Sequence, residues 1–344
     1  MQKIKVVYIL NNAPNYRDVF LKELGKYVEL TVVSYSGKSS NLKDPGLREN
    51  YKFIELKDKR VFGISYQLKE FTALNGDFDV YIIGFDIHRP FRFLNLFRNK
   101  RVIFAGLIYG RNEKNAITRF ARKNIIPLAD GVLVYSELVK EKLSKEINKP
   151  IISFNNTSFS INDIIPLPFH FKDNELNLLW VGRYQKRKKI ERLLDIARRD
   201  KRVNLRLIGP GMKENIFIEK NDDNIEVFSE AYDDELNNHF EWSHAVFNTG
   251  GAGLMVMNAA RFERPIFIDN DSHHGPEIQL AIDASQDFLD FGNENEVDEL
   301  VKKCITNRIF LIEKGSQLAS VMKDKYTIEY MAQQYMKAIH GEWE

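Results

Sequence analysis

The sequence contains very little cysteine and few residues of the kind that break regular structure. Cys304 is the one cysteine in 344 residues, so an internal disulfide cannot form, and a small disulfide scaffold is excluded. Ten prolines and nineteen glycines are too few for a collagen-like chain, while 44% hydrophobic and 28% charged residues are typical of a folded domain. The composition therefore predicts a folded protein of a reducing compartment, the cytoplasm.

Long apolar runs are also missing. No run approaches the roughly 18 to 20 residues that a membrane span requires, and the first residues lead directly into a predicted strand without a secretory signal pattern. We therefore expect a chain that neither spans a membrane nor is exported. Its length corresponds to about two domains of ordinary size.

An excess of charge of one sign is absent overall, because 50 basic and 48 acidic residues leave a net charge of +2. A basic window at residues 89–123 holds ten basic residues and one acid, a local charge of +9 that leaves −7 for the rest of the chain. The window also contains many aromatic and aliphatic residues, a combination that suits an anionic membrane surface. We predict a cytoplasmic protein that is peripheral at the inner face of the membrane through this window. A solvated basic face is the alternative.

Apolar strands alternate with amphipathic helices in two series along the chain. The first series has predicted strands at 4–10, 30–34, 51–56, 79–84, 101–105, 131–135 and 150–154, with helices at 17–26 and 64–75, and the second has strands at 176–181, 203–208, 225–228, 245–248 and 265–269. This order predicts an α/β fold of two doubly wound, Rossmann-like domains with parallel sheets.

The predicted domain boundaries follow from a linker at 155–174 that contains two prolines. An N-terminal, acceptor-binding domain is expected over 1–160 and a C-terminal, donor-binding domain over 161–325. A final helix within 326–344 can pack back on the N-terminal domain.

Ligands of open parallel sheets bind at the carboxyl ends of the strands, so the loops that leave each strand carry the candidate site residues. The first loop, 11–18, lacks the G-x-G-x-x-G fingerprint of dinucleotide sites. Its residues Asn12, Tyr16 and Arg17 are interpreted as acceptor-side residues, together with His88 after the strand at 79–84. A simple turn that caps a helix is the alternative.

Two later loops carry features of an anion site. Arg183 and Lys188 follow the strand at 176–181, where a guanidinium and an ammonium can converge on one diphosphate. The amides of Gly251, Ala252 and Gly253 follow the strand at 245–248 and open a helix, a position that attracts anions. The alternatives are a solvated run of charge in the first loop and a tight turn without a ligand in the second.

Several motifs in this order resemble the donor half of family 4 glycosyltransferases, which have the GT-B fold. Their pattern of Val-Gly-Arg, four residues and Lys is similar to 181–188, and their Ile-Gly-x-Gly, Gly-Phe-Gly-Leu, Gly-Lys-Pro-Val-Ile and Pro-Glu-Ile motifs are similar to 208–211, 251–254, 263–267 and 276–278. Residues 13–17 and 129–137 also resemble this family. The resemblance covers most of the chain.

The resemblance implies two Rossmann-like domains that face each other across a cleft, with the nucleotide-sugar donor in the second. Carried over residue by residue, it makes Arg183, Lys188 and Glu277 the catalytic residues. It assigns the donor to a set of loop residues, which are Gly182, Gly209, Gly251, Ala252, Gly253, Leu254, Asn258, Ser229 and Tyr232.

The sequence departs from the family pattern around the glycine-rich turn. The family usually has two glutamates eight positions apart, the first near the transferred sugar and the second on the ribose, and here these positions are Gly250 and Asn258. Asn258 can still bond a ribose hydroxyl. Glu277, with His273 or His274, is expected to contact the donor sugar and to compensate in part for Gly250; a surface loop without a ligand is the alternative. The missing glutamates affect two expectations that follow from the resemblance: catalytic turnover and retention of the anomeric configuration of the transferred sugar.

Asp-x-Asp tripeptides at 77–79 and 269–271 match the spacing with which other glycosyltransferases hold a divalent metal under a diphosphate. Such tripeptides are common by chance, and the resemblance implies that basic groups and helix dipoles replace the metal. We therefore predict no metal and no cofactor, with the nucleotide sugar as a co-substrate.

The sequence thus predicts a metal-independent hexosyltransferase that moves a sugar from a nucleotide sugar to a hydroxyl of a lipid-linked glycan, in cell-surface polysaccharide or lipopolysaccharide biosynthesis. Its predicted partners are the donor, the glycan or lipid-linked acceptor and an anionic membrane surface, without nucleic acid. One alternative is an isomerase like UDP-N-acetylglucosamine 2-epimerase, although the Gly-Thr-Arg-Pro-Glu opening of that family is missing. A second is a catalytically silent nucleotide-sugar-binding partner of another transferase. A nicotinamide dehydrogenase is disfavoured because the dinucleotide fingerprint is absent.

Overall fold

The computed structural model describes residues 3–11, 13, 15–36, 49–72, 78–109 and 116–343. The chain divides into two compact units. Unit 1 comprises Met1–Ser158 and Thr327–Glu344, and unit 2 comprises Phe159–Tyr326. The sequence places these divisions at residues 160 and 325.

Strands and helices alternate through both units. The strands are β1 (Lys5–Ile9), β2 (Glu29–Ser36), β3 (Tyr51–Lys57), β4 (Arg60–Val61), β5 (Ile64–Ser65), β6 (Val80–Gly84), β7 (Arg101–Gly106), β8 (Gly131–Val134), β9 (Ile151–Ser153), β10 (Leu176–Val181), β11 (Val203–Ile208), β12 (Ile225–Phe228), β13 (Ala245–Asn248), β14 (Ile266–Asp269) and β15 (Phe288–Leu289).

The helices vary in length from one turn to five. They are α1 (Asn15–Tyr27), α2 (Lys69–Thr72), α3 (Ala116–Ile125), α4 (Glu137–Ser144), α5 (Glu191–Arg199), α6 (Met212–Asn215), α7 (Asp233–Trp242), α8 (Met255–Arg261), α9 (Ile278–Asp283), α10 (Glu294–Thr306), α11 (Arg308–Lys325) and α12 (Ile328–His340). Short 3-10 helices lie at Pro90–Phe97, Ile126–Leu128, Ile161–Asp163 and Lys186–Lys188.

The sheet of unit 1 has seven described strands, all parallel, in the order β3-β2-β1-β6-β7-β8-β9. Its strands are apolar runs because both faces are covered. On β1, Val6 and Tyr8 pack with α1 and α12, whereas Val7 and Ile9 pack on the opposite face with α4. The hydroxyl groups of Tyr8 and Tyr335 share a buried hydrogen bond of 2.9 Å. The C-terminal helix α12 is therefore part of the core of unit 1.

The sheet of unit 2 has six parallel strands in its described part, in the order β12-β11-β10-β13-β14-β15. Helices α5 and α10 cover one face, and α8, α9 and α11 cover the other. Arg264, just before β14, is fully buried, and it donates hydrogen bonds to the carbonyls of Phe240, Ser243, Leu167 and Pro168. Burial lowers the pKa of this guanidinium to about 10. Arg264 thereby ties the linker at 155–174 to unit 2.

The predicted helix at 64–75 is wrong at its start. The structure has an antiparallel hairpin there, in which Val61 of β4 pairs with Ile64 of β5, before the one-turn helix α2 begins at Lys69. Phe62 and Gly63 between the strands have positive φ angles of 49° and 79°, as a two-residue type I′ turn requires. Strand β15 is also missing from the predicted strands, because two residues are too few to show a period.

The basic window at 89–123 is less exposed than its composition indicates. Three of its arginines are buried and each pairs with an acid: Arg89 with Asp58 (2.9 Å), Arg92 with Glu70 (3.1 Å) and Arg122 with Glu146 (3.2 Å). Ion pairing neutralises these cations inside unit 1. Residues 110–115, with Arg111 and Lys114, lie outside the described residues. The exposed apolar residues of the window include Phe97, which is 81% exposed, and Ile117 and Phe120 on α3, which are each 71% exposed.

Over the described ranges, no helix combines the length and the apolar character that crossing a bilayer requires.

Candidate functional site

The strand order of unit 2 reverses between β10 and β13, and open parallel sheets bind ligands at the carboxyl ends of the strands beside such a reversal. Three loops leave the sheet there. We call residues 182–190, after β10, the clamp loop and residues 250–253, after β13, the glycine turn. Residues 273–277, which follow β14, are called the histidine loop.

Two glycines allow the loops after β10 and β11 to approach each other. Gly182 and Gly209 have φ angles of +155° and +142°, a region that side chains disfavour. A Cβ atom on Gly209 would lie 1.9 Å from the carbonyl oxygen of Gly182. Backbone packing therefore requires glycine at both of these predicted donor positions, independently of any ligand that binds at this edge of the sheet.

The clamp loop is bonded to the glycine turn and to Thr249, the residue just before it. The Lys188 ammonium donates a hydrogen bond to the carbonyl oxygen of Gly251, and the Thr249 hydroxyl lies 3.0 Å from the carbonyl oxygens of Lys188 and Lys189. Burial, with Arg187 close by, lowers the pKa of Lys188. The structure thus brings together the predicted residues Lys188 and Gly251, and it adds Arg187 as a neighbouring cation.

Below this contact, a buried carboxylate anchors the other side of the clamp loop. Asp269 accepts from Lys189 at 2.9 Å, from Arg192 at 3.1 Å and from the Ser272 hydroxyl. Burial alone would raise the pKa of Asp269, but the bonds from Ser272 and Lys189 lower it. The Asp-x-Asp tripeptide at 269–271 therefore uses its first carboxylate to hold two cations. Among the described residues, no three His, Cys, Asp or Glu side chains form a cluster that could hold a metal ion. Asp77 of the other Asp-x-Asp tripeptide lies outside the described residues.

The position where the family pattern has its first glutamate is closed to any side chain. A Cβ atom on Gly250 would lie 2.6 Å from the Cα of Lys188 and 2.8 Å from the carbonyl oxygen of Arg187. Both contacts are with backbone, which cannot rotate away. In contrast, a Cβ atom on Gly253 would meet nothing within 4 Å. The glycine at 250 is thus required by the close approach of the clamp loop.

The histidine loop holds the other side of the glycine turn. The Ala252 amide donates to Nδ1 of His274 at 3.1 Å, and the Gly275 amide donates to the Ala252 carbonyl at 2.8 Å. Burial lowers the pKa of His274, which keeps Nδ1 able to accept. The Ala252 amide, which the sequence predicts to face an anion, thus has a partner within the chain in this structure. The Glu277 carboxylate lies over Gly275, which brings this predicted catalytic residue next to the turn.

The remaining predicted donor residues are spread along the same edge. Arg183 is exposed on the clamp loop, and its charge is felt by Tyr232, whose hydroxyl donates to Glu230 at 2.9 Å. Ser229 is exposed just after β12. Leu254, at the start of α8, is also exposed, whereas Asn258 on that otherwise buried helix is half-buried. Of the two predicted diphosphate-binding cations, Arg183 thus lies near Tyr232, whereas Lys188 contacts Gly251.

A cavity of about 590 Å³ in unit 2 lies away from these loops, at the amino ends of β10, β11 and β12. Charged side chains in its lining are paired with each other, Arg206 with Glu226 at 2.6 Å and His170 with Glu241 at 3.1 Å. None of the predicted site residues lines it. Because doubly wound sheets bind at the carboxyl ends of the strands, we place the candidate site at the loops rather than in this cavity.

The carboxyl edge of unit 1 carries a network of polar side chains. Asn11, after β1, donates to Asp86 at 3.0 Å and accepts from the buried Arg92 at 2.8 Å. His88, which is largely exposed, has its Nδ1 3.1 Å from Asp86. Burial would raise the pKa of Asp86, but the hydrogen bond from the His88 amide and the charge of Arg92 lower it. His88 is therefore the exposed member of a carboxylate–histidine pair.

The other predicted acceptor residues contribute less to this edge. Asn12 and the side chain of Tyr16 lie outside the described residues. Arg17 is nine-tenths buried, and its guanidinium contacts the hydroxyl of Tyr135. The structure therefore packs Arg17 against an aromatic ring within unit 1.

Some residues of both edges have no clear signal in the sequence. Lys189 and Arg192 look like ordinary members of a charged helix face, because their partner Asp269 is about 80 residues away. Asn11 and Asp86 are likewise distant in sequence. A general expectation that polar residues at strand ends converge could have selected them.

Comparison with known proteins supports the fold. No protein-family model matches the sequence, and no curated protein matches it either. The solved structures that resemble it include Anabaena HepE in complex with UDP and glucose (11% identity, TM-score 0.67, 98% of this chain and 99% of that one). Others are sucrose-phosphate synthase from Thermosynechococcus elongatus (12%, 0.70, 98% and 98%) and a glycosyltransferase from Rickettsia africae (12%, 0.72, 98% and 98%). With its two parallel-sheet α/β domains, the chain has the GT-B fold of these glycosyltransferases.

Proposed function

We propose that the chain is a glycosyltransferase of the family 4 type, which transfers a hexosyl group from a nucleotide sugar to a hydroxyl of a glycan. The observation that carries this proposal is the meeting of three loops at the strand reversal of unit 2, where Lys188 contacts the glycine turn. It is supported by the GT-B fold and by the HepE structures, which contain UDP with glucose or UDP-glucose.

In this proposal the donor diphosphate lies against the clamp loop and the glycine turn. Transfer breaks the bond between the anomeric carbon and a diphosphate oxygen, so negative charge develops on the diphosphate. Arg183 and Lys188 neutralise this charge without a metal, and the amides of Gly251 and Gly253 donate to it. The amide of Ala252 holds His274 instead, and it thereby fixes the shape of the turn.

The other donor contacts follow from positions along the edge. Asn258 bonds the ribose, and the segment from Ser229 to Tyr232 contacts the base. The carboxylate of Glu277 lies over Gly275, next to the glycine turn, so we assign it to the transferred sugar in place of the carboxylate that Gly250 lacks.

The acceptor is assigned to the carboxyl edge of unit 1, with Asn12, Tyr16, Arg17 and His88. Of these, His88 with its Asp86 partner has the chemistry to accept a proton from an acceptor hydroxyl. We propose a lipid-linked glycan of a cell-surface polysaccharide as the acceptor. As a further part of this proposal, the exposed cations and apolar residues of the window at 89–123, among them Phe97 and Phe120, would contact an anionic membrane from the cytoplasmic side.

Calorimetry with UDP and other nucleoside diphosphates tests the donor site. The double variant Arg183→Ala/Lys188→Ala should weaken binding of the cognate nucleotide by about 100-fold or more, since two charge-assisted hydrogen bonds are lost. Lys186→Ala, at an exposed cation of the same loop, is the matched control and should bind as the unchanged protein does. Equal affinity in the double variant would refute the assignment.

A catalytically silent nucleotide-sugar-binding protein is the second candidate. It is favoured by Gly250, where the clamp loop leaves no room for the family's glutamate. Incubation with a panel of nucleotide sugars separates the two functions. A transferase releases nucleotide when an acceptor is added, whereas a silent partner is stabilised against heat by the donor and releases none.

A further inference from the structure

The hairpin formed by β4 and β5 displays apolar side chains to solvent. Phe62, at its tip, is 100% exposed, and Val61 beside it is 52% exposed. Ile64, Tyr66 and Leu68 on the following strand and turn are exposed as well. Contiguous exposed apolar residues on a soluble surface mark a place of interaction. We refer to residues 57–69 as the apolar hairpin.

The hairpin is bonded to the rest of unit 1 although its tip is exposed. The Ser65 amide donates to the carbonyl of His88 at 2.7 Å, and Asp58 accepts from the buried Arg89 at 2.9 Å. The Tyr66 and Phe91 rings are 6.3 Å apart. These contacts place the hairpin beside His88, at the proposed acceptor edge.

The residue at the tip is unusual for its backbone conformation. Phe62 has a φ of 49°, in the left-handed region that bulky residues rarely adopt and that asparagine and glycine tolerate. A type I′ turn ordinarily has Asn-Gly at these two positions. The aromatic side chain of Phe62 therefore occupies a position where its backbone conformation is unfavourable and where burial in the core does not offset this cost.

Cations surround the exposed apolar residues. Lys57, Lys59, Arg60 and Lys69 are exposed within the hairpin. Its acid, Asp58, bonds to Arg60 at 2.7 Å and to Arg89 at 2.9 Å. The segment thus has a local charge of +3 around an apolar tip. Basic residues with an exposed aromatic group complement an anionic lipid surface, since each cation near the surface is attracted and the ring enters the interface.

We propose that the apolar hairpin docks unit 1 on an anionic lipid bilayer, with Phe62 inserted in the interface. Docking there holds the carboxyl edge with His88 at the headgroup level, where a lipid-linked acceptor presents its hydroxyl. The purpose of docking rests on the proposed function, whereas docking itself is measured without any sugar donor. The hairpin is a better docking element than the basic window at 89–123, because three arginines of that window are buried in ion pairs.

Sedimentation with vesicles tests the proposal. The full-length protein should bind vesicles of phosphatidylcholine with phosphatidylglycerol and should bind pure phosphatidylcholine weakly. Phe62→Asn should reduce binding to the anionic vesicles by about tenfold, as expected for loss of a buried aromatic ring. Asparagine is favoured in this turn, so the variant should unfold at the same temperature or higher, which separates lost docking from lost folding.

A matched control and a charge variant sharpen the test. Phe217→Asn removes a phenylalanine that is 79% exposed in unit 2 and should leave vesicle binding unchanged. Lys59→Gln should weaken it by about fivefold at low salt and have little effect at high salt. Both variants should bind nucleotide as the unchanged protein does, so a failed donor site is recognised separately by calorimetry.

Three results would overturn the proposal. The first is equal vesicle binding by Phe62→Asn and the unchanged protein. The second is loss of binding in Phe120→Asn instead, which would move docking to the face of α3. The third is absence of vesicle binding together with a self-association that Phe62→Asn abolishes in light scattering, which would make the hairpin a contact between copies of the chain.

Discussion

In unit 2 the carboxyl edge of the sheet is built from close backbone contacts and cations, whereas in unit 1 the corresponding edge is built from paired side chains. Glycines let three loops of unit 2 meet, and Lys188 donates to a carbonyl rather than to a carboxylate. In unit 1 the charge of Arg92 is neutralised by Glu70, and the apolar hairpin, with its exposed apolar side chains and its cations, lies beside His88. Counted along each sheet, the six strands of unit 2 have the same order as the first six of unit 1, which has β9 as a seventh strand. The chemistry of each edge is therefore set by its loops.

The difference fits the two ligands of the proposed reaction. A diphosphate carries dense charge and is bound by amides and cations with a fixed arrangement. A glycan on a lipid carries hydroxyl groups and an apolar anchor, which call for hydrogen-bonding groups beside an apolar surface. Three predictions test how far the contrast between the two edges holds.

The largest effect is expected at the buried ion pair of unit 1. Arg92→Met leaves the carboxylate of Glu70 buried without its cation, so the free energy of unfolding should fall by about 3 to 5 kcal/mol. Urea unfolding measures this change. Lys52→Met breaks the exposed pair with Glu29 and should have little effect. If Arg92→Met lowered the free energy of unfolding by less than about 1 kcal/mol, the Arg92–Glu70 ion pair would not be what organises the carboxyl edge of unit 1.

A smaller effect is expected at the glycine turn of unit 2. Gly250→Ala places a methyl group against the backbone of Lys188, which should cost about 1 to 3 kcal/mol of stability and displace the clamp loop from its nucleotide-binding position. Gly253→Ala adds the same group in open space and should be close to neutral. Unfolding and nucleotide calorimetry on the two variants measure the contrast. Equal behaviour of both would mean that the clamp loop is not packed as described.

The smallest effect is a loss of stability in acid that arises from unit 2. Burial lowers the pKa of His239, His244 and His274 below the ordinary value of 6.5, and all three lie in unit 2. Since the unfolded chain binds protons more readily at these sites, their contribution is complete above about pH 6.5 and is lost as the pH falls through the lowered values.

The variant His274→Asn isolates one of these histidines. Its amide oxygen can accept from Ala252 where Nδ1 does, and it does not titrate. The acid-induced loss of unfolding free energy should therefore shrink by about 1 kcal/mol or less, while the stability near pH 7 stays similar. An unchanged pH profile in urea unfolding would assign the acid sensitivity to the other two histidines.

Much of the fold is predictable from the sequence, and the strands are the clearest case. The predicted strands at 203–208, 225–228 and 245–248 have the observed bounds, because buried parallel strands are short apolar runs between polar turns. The predicted helix at 64–75 fails because the apolar residues between 61 and 68 are exposed, whereas the polar Ser65 and Gln67 are buried. The spacing of the apolar residues therefore does not mark a buried face. Two-residue strands such as β15 carry too little pattern to be recognised.

The candidate site is predictable in part. The location of Lys188 beside Gly251 follows the motif spacing, since both loops leave neighbouring strands at the reversal of the sheet. The bond from Ala252 to His274 and the anchoring of Lys189 by Asp269 could not be predicted, because they depend on how loops far apart in the sequence pack. The apparent +9 of the basic window is misleading for the same reason: the acids that neutralise Arg89 and Arg92 lie at Asp58 and Glu70, outside it.

By itself, the sequence determined the two series of parallel strands, the glycines at the turns and the absence of disulfides, because apolar period and residue type are local properties. The tertiary structure decided which charges are available to a ligand. Ion pairing and burial join residues that are distant along the chain. Arg92 therefore has the appearance of a surface cation in the sequence, whereas in the structure it is a core residue neutralised by Glu70. The tertiary structure also decided that position 250 admits no side chain and that Phe62 is exposed at the tip of a hairpin, since only the packing of neighbouring segments fixes the space around a residue.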